Sequence, residues 1–128
     1  MQPSFLRLGL AAALLAVPAV AVAAVALSPI MQSWNRTTHH IDDMLSGSAA
    51  YDQVALRQSV QVYITDGTMV ASRISGNSAE ARDFAGRFHA IAADSQAALH
   101  AVGDPALFRS RFTRITDDCR SCHAIYNN

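Results

Sequence analysis

The chain has 128 residues, with ten basic and ten acidic side chains and therefore no formal net charge when His is neutral. All of the basic residues are Arg, and they form neither a stripe nor a block. This balance argues against nucleic acid as a partner and against a charged disordered tail, and the length suits one domain with a modest core.

The N-terminal segment has the pattern of a secretory signal peptide. One positive side chain, Arg7, precedes the uncharged run Leu8–Leu27, which contains small-residue patterns such as Ala21-Val22-Ala23. This pattern predicts a signal peptide over residues 1–23. The run is also long enough to span a bilayer as an uncleaved anchor, so membrane attachment is expected only if the segment is retained. In either case residues 24–128 form a single exported domain.

The exported part predicts four helices. Residues suited to an interior recur at alternating steps of four and three, which marks one packed face of a helix. The four sets are Ile30, Trp34, Thr37, Ile41 and Met44; Leu56, Val60, Tyr63, Gly67, Val70 and Ile74; Phe84, Phe88, Ile91, Ser95, Ala98 and Val102; and Phe108, Phe112, Ile115, Cys119, Cys122 and Tyr126. Short polar connections separate them, so the fold class is all-α, an antiparallel up-down-up-down four-helix bundle.

Two glycines have specific predicted roles. In Gly103-Asp104-Pro105, Gly103 would cap the C-terminus of the third helix, Asp104 would be the N-cap of the fourth, and Pro105 its first residue. Gly67 lies on the packed face of the second helix, where it costs about 1 kcal/mol relative to Ala. We therefore expect a close approach of backbone or ligand at Gly67.

The most informative motif is the C-terminal Cys119-Arg-Ser-Cys122-His123, which contains the only two cysteines of the chain. C-x-x-C-H is the attachment signature of a c-type haem. Thiols at i and i+3 lie on one helical face, where both can form thioethers to one porphyrin. His123, at i+4 from Cys119, can reach the iron from the same side. Export agrees, since this attachment takes place outside the cytoplasm.

Two alternatives use the same cysteines. A structural zinc site needs four ligands, and none of the remaining histidines has a second ligand spacing. Those histidines are His39, His40, His89 and His100. A redox disulfide of the thioredoxin type belongs in a βαβ setting, and a bridge between i and i+3 of a continuing helix would be strained. The covalent haem fits the surrounding sequence best.

A helical bundle that ends in C-x-x-C-H followed by Ala124-Ile125-Tyr126 resembles the class II c-type cytochromes, the cytochrome c-prime family. The similarity is clearest from Arg82 to Tyr126, and it is looser in the first two helices. The connection between helices two and three is shorter than is usual in that family. The resemblance implies one haem near one end of the bundle, and dimers are frequent among the relatives.

The resemblance also implies a distal residue in the first helix, at a set distance before the Gly that ends it. Counting back from Gly47 reaches Met31, and Met at this position is typical of the low-spin, electron-transfer branch. By level along the bundle, Met31 and Met69 are the thioethers near the motif, although Met69 falls one residue off its packed face. His39 and His40 lie about 12 to 14 Å further along the helix axis.

Aromatic residues near the same level are candidates for the haem pocket. We expect Trp34, Phe84, Phe88 and Phe112 to line it, and Tyr126 to cover the proximal side. The alternative for each is an ordinary place in the core. Arginines of the fourth helix form either a solvated face or a surface that steers an acidic redox partner. They are Arg109, Arg111, Arg114 and Arg120.

These observations lead to a functional hypothesis. The chain is expected to be a periplasmic monohaem electron carrier and not an enzyme, with His123 and Met31 as axial ligands of the iron. Its partners would be redox proteins bound in transient contacts, with a homodimer as a further expectation from the resemblance. The alternative is a five-coordinate haem that binds nitric oxide or carbon monoxide, as a scavenger or sensor.

Overall fold

A computed structural model describes residues 26–126, which form four helices and contain no strand. The helices are α1 (Leu27–Ser46), α2 (Gln53–Arg73), α3 (Ala79–Leu99) and α4 (Pro105–Tyr126). Short connections join antiparallel neighbours, so the predicted four-helix bundle is confirmed. The predicted signal peptide, residues 1–23, lies outside the described residues. No helix within 26–126 combines the length and the apolar character needed to cross a membrane.

Local sequence signals determine most helix ends. Gly47 ends α1 in the left-handed conformation, with φ of 84°, which a residue without Cβ adopts at little cost. Asp52 and Ser78 cap the N-termini of α2 and α3 with their side-chain oxygens. Asp104 accepts two amide hydrogen bonds, of 3.1 and 3.0 Å, from the first turn of α4, and Pro105 is the first helical residue, as predicted.

The end of α3 differs from the prediction. The helix ends at Leu99, with His100 as its C-cap, and Gly103 is not its cap. The following turn folds inward instead, because Val102 is fully buried and its carbonyl accepts a hydrogen bond of 2.9 Å from the Tyr51 hydroxyl. Because this turn is buried, α3 ends at Leu99, before Gly103.

The predicted inner faces form the core. In the second, third and fourth sets nearly every predicted residue is buried, and in α1 the buried residues are Trp34, Ile41 and Met44. The predicted residues that are only half-buried are Ile30, Thr37, Ile74, Cys119 and Tyr126. Burial of this apolar surface is the main stabilising term of the bundle.

The four helices do not pack equally closely. The tightest interface joins α2 and α3, followed by α3 and α4. A Cβ placed on Gly67 of α2 would lie 3.0 Å from the carbonyl oxygen of Phe88 on α3, which confirms the predicted close approach as one between backbones. By contrast, α1 packs loosely along α2, and a groove remains between α1 and α4.

Candidate functional site

The α1/α4 groove is the candidate site, with a volume of about 520 Å³. Its floor is formed by Phe88 and Ile91 of α3, and its walls come from the facing sides of α1 and α4. The α1 residues are Met31, Trp34, Asn35, Thr38, Asp42 and Leu45, and those of α4 are Arg109, Phe112, Thr113, Thr116, Cys119, Arg120, Cys122 and His123. Size and mixed lining are typical of pockets for small molecules and cofactors.

The structure brings together the four residues that carry the haem hypothesis. Cys119, Cys122 and His123 line the groove from α4, and Met31 lines it from the opposite wall. The antiparallel order of the bundle causes this, because the start of α1 lies beside the end of α4. Of the aromatic candidates, Trp34, Phe88 and Phe112 also line the groove.

Other candidates lie elsewhere. Phe84 and Tyr126 do not line the groove but pack edge-on against each other, with ring centroids 4.8 Å apart. Met69 is half-buried against the core outside the groove. The remaining histidines, His39, His40, His89 and His100, are exposed and do not line the groove.

Both cysteine thiols are held in the protonated form. Burial is the main reason that the pKa of Cys119 rises to about 11, and the negative charge of Asp118 adds to it. Burial also raises the pKa of Cys122. Redox-active cysteines depend on a lowered pKa and on the thiolate, so this environment does not favour a redox disulfide.

His123 is exposed, and no hydrogen bond of its side chain occurs within residues 26–126. It is one of the residues that line the groove. Over the same range no three His, Cys, Asp or Glu side chains are grouped to hold a metal ion. The zinc alternative therefore finds no set of protein ligands in the described part of the chain.

A hydrogen-bond network fixes the α1 wall of the groove. The indole Nε1 of Trp34 donates to Asp66 Oδ2 on α2 at 3.0 Å, and Trp34 is almost fully buried. Thr38 Oγ1 donates to the Trp34 carbonyl at 2.9 Å and lies 2.7 Å from the hydroxyl of buried Tyr63. Burial raises the pKa of Tyr63, so its hydroxyl stays protonated and can donate to Thr38. Sequence reasoning missed Asp66, because nothing in the pattern pairs it with a residue 32 positions away.

Polar side chains line the groove beyond the cysteines, and they include Arg109 and Arg120, for which the sequence predicts either a solvated face or a surface that steers a redox partner. Arg109 donates to the Leu45 carbonyl at the end of α1, which ties the two walls together. Arg120 pairs with Asp117 at 2.8 Å on its own helix. On the outer face Arg114 lies 3.6 Å from Asp94 of α3. Two of the four arginines of α4 are therefore partly neutralised by carboxylates.

Comparisons with known protein families, with curated proteins and with solved structures return no match to this chain.

Proposed function

We propose that the α1/α4 groove binds one haem, attached covalently through Cys119 and Cys122, and that the protein is an exported electron carrier. The main support for the proposal is that the cysteines and both candidate iron ligands line the same groove. Met31, Cys122 and His123 reach it from two helices that pack loosely, so the groove is formed without displacing the core.

The residues of the groove suit such a group. Phe88, Ile91 and Phe112 offer an apolar floor and wall, and the two protonated thiols lie where thioether bonds would form. His123 would be the proximal ligand and Met31 the distal one. A bound haem would supply reversible exchange of one electron between the ferric and ferrous states of its iron.

The ligand pair favours electron transfer. If His123 and Met31 both held the iron, they would leave no position for substrate or gas, and exchange of electrons would be the remaining chemistry. Thioether ligation raises the reduction potential, and burial modulates it further. The resemblance of residues 82–126 to class II c-type cytochromes supports His123 as the proximal ligand, and the position of Met31 before Gly47 supports Met31 as the distal one.

The proposal is tested by absorption spectroscopy of protein made in a host that matures c-type cytochromes. We expect low-spin, six-coordinate spectra in both oxidation states, unchanged by carbon monoxide. Met31→Leu should give a high-spin form that binds the gas. Met69→Leu is the matched control, since Met69 is half-buried outside the groove, and it should leave the spectra unchanged. A wild-type spectrum that is high-spin and shifts with carbon monoxide would favour the gas-binding alternative.

A further inference from the structure

The C-terminal turns of α4 are tied to the start of α3 by a group of four side chains, here named the proximal clamp: Asp83, Arg87, Ser121 and Tyr126. The Tyr126 hydroxyl donates to Asp83 Oδ2 at 2.6 Å, and Arg87 Nε donates to the same oxygen at 2.8 Å. Arg87 Nη1 also donates to Ser121 Oγ at 2.9 Å. Two residues of α3 therefore hold two residues of α4.

Aromatic packing reinforces these hydrogen bonds. The Tyr126 ring meets Phe84 edge-on, and the guanidinium of Arg87 lies 5.8 Å from its centroid. Phe84 in turn contacts Phe88, with centroids 5.2 Å apart, and Phe88 forms part of the groove floor. The clamp is thus continuous with the candidate site through packed rings.

The spacing of the clamp along α4 is informative. Ser121 precedes Cys122 and His123, and Tyr126 follows His123 by three residues, less than one helical turn. The His123 side chain has no hydrogen bond within the described residues, so the orientation of its imidazole depends on the backbone that carries it. The clamp holds that backbone on both sides of His123.

The charges of the clamp are stable at neutral pH. Hydrogen bonds from Tyr126 and Arg87 lower the pKa of the Asp83 carboxyl, so it is ionised and accepts both. A carboxylate that accepts from a phenol and a guanidinium makes shorter and stronger hydrogen bonds than a neutral acceptor.

We infer that Asp83, Arg87 and Tyr126 are positioning residues, which set the orientation of the His123 imidazole towards the haem iron. The inference rests on the proposed function. It assigns the clamp a role that differs from general stabilisation of the bundle, because the effect is exerted on one ligand at the end of one helix.

The test compares Tyr126→Phe and Asp83→Asn with Tyr51→Phe in the mature holoprotein. Tyr51→Phe is a matched control, because it removes a single tyrosine hydroxyl bond of 2.9 Å, to Val102, at the opposite end of the bundle. The first readout is the set of g-values of the ferric protein in electron paramagnetic resonance, which report the orientation of the axial ligands. The second is amide hydrogen exchange over residues 121–126.

We expect shifted or broadened g-values in Tyr126→Phe and Asp83→Asn, and g-values like those of the wild type in Tyr51→Phe. Exchange over residues 121–126 should become about fivefold faster in the two clamp variants, the effect of losing one hydrogen bond of average strength. The control should show no change in this segment.

The possible failures are distinguishable. Coloured clamp variants with unchanged g-values would show that the clamp is structural only, and would overturn this inference while leaving the proposed function intact. Equal g-value shifts in Tyr51→Phe would overturn it as well, because the effect would then be general. Colourless wild-type protein with both thiols free to alkylate would overturn the proposed function and this inference together.

Discussion

The α2/α3 interface and the α1/α4 interface are built in opposite ways. At the first, Gly67 lets the backbones approach until a single added Cβ would meet the Phe88 carbonyl at 3.0 Å. At the second, the helices leave a groove of about 520 Å³ lined by Met31 and the C-terminal motif. The comparison indicates that stability resides mainly in α2, α3 and their contacts, which leaves the α1/α4 interface free to bind a ligand.

The largest expected effect tests this difference directly. Leu56→Ala, at a fully buried position of α2, should lower the free energy of unfolding by about 3 kcal/mol, since it removes apolar contacts and leaves a cavity. Leu45→Ala, at a half-buried position of the groove wall, should cost about 1 kcal/mol. Urea unfolding of both variants measures the difference. Equal losses of unfolding free energy would mean that the two regions are packed equally tightly.

Much of this arrangement can be predicted from the sequence. Steps of four and three place Ile91 and Ser95 in the core, and the antiparallel order brings Met31 to the level of His123. Caps such as Asp104 are local, because the side chain bonds its own first turn. These features depend on short sequence distances and on helix geometry, so a pattern is enough to show them.

Other features depend on how far one helix slides along another. An inward position does not tell which neighbour a ring meets, so the sequence does not show that Phe84 and Tyr126 pack against each other beside the residues that line the groove. The Trp34–Asp66 hydrogen bond likewise requires the relative rotation of α1 and α2. The end of α3 differs from the prediction because burial of Val102, a tertiary effect, outweighs the local signal of Gly103.

A second prediction uses a pair of glycines in helices. Gly67→Ala should destabilise the protein by about 1 to 2 kcal/mol despite the better helix propensity of Ala, because the neighbouring atom is backbone. Gly86→Ala should stabilise it by about 0.5 to 1 kcal/mol, since no atom lies within 4 Å of a Cβ built there. Thermal unfolding of the two variants measures the direction of each change in stability. Stabilisation by Gly67→Ala would contradict the tight packing of α2 on α3.

A third prediction concerns the α3/α4 interface. Burial first, and then the neighbouring Asp94 carboxyl, raise the pKa of Asp118 to about 6. Asp118 Oδ2 is buried and accepts no hydrogen bond in the described part of the chain. A proton shared with the Asp94 carboxyl would provide that hydrogen bond. Because the folded pKa exceeds the unfolded value of 3.8, stability is greatest below the unfolded pKa and falls as pH rises through about 6.

Asp118→Asn should therefore stabilise the folded protein at neutral pH by about 1 kcal/mol, allowing for solvent screening of a partly exposed group. It should also flatten the dependence of stability on pH between the two pKa values. Asp43→Asn is the control, because Asp43 is exposed on α1 and is not among the charges that act on Asp118. Urea unfolding at several pH values measures the effect, and an unchanged slope in Asp118→Asn would show that Asp118 is not the titrating group.

The smallest effect is expected at Ser95, a fully buried residue of α3 whose hydroxyl has no hydrogen-bond partner among residues 26–126. Ser95→Ala should stabilise the protein by about 0.5 to 1 kcal/mol, since it removes an unsatisfied polar group and improves helix propensity. Ser110→Ala, on the exposed face of α4, supplies the propensity term alone. An equal gain in the free energy of unfolding for both variants would mean that the Ser95 hydroxyl is hydrogen-bonded in solution.

The central claim is that the α1/α4 groove holds a covalently attached haem, and the most direct measurement is the mass of the intact protein after expression with a cytochrome maturation system. We expect the mass to increase by one haem, which is retained after denaturation, and Cys119 and Cys122 both to resist alkylation. We also expect a non-covalent or singly bonded product when either cysteine is replaced by Ala. An unmodified mass with two alkylated thiols would contradict the claim.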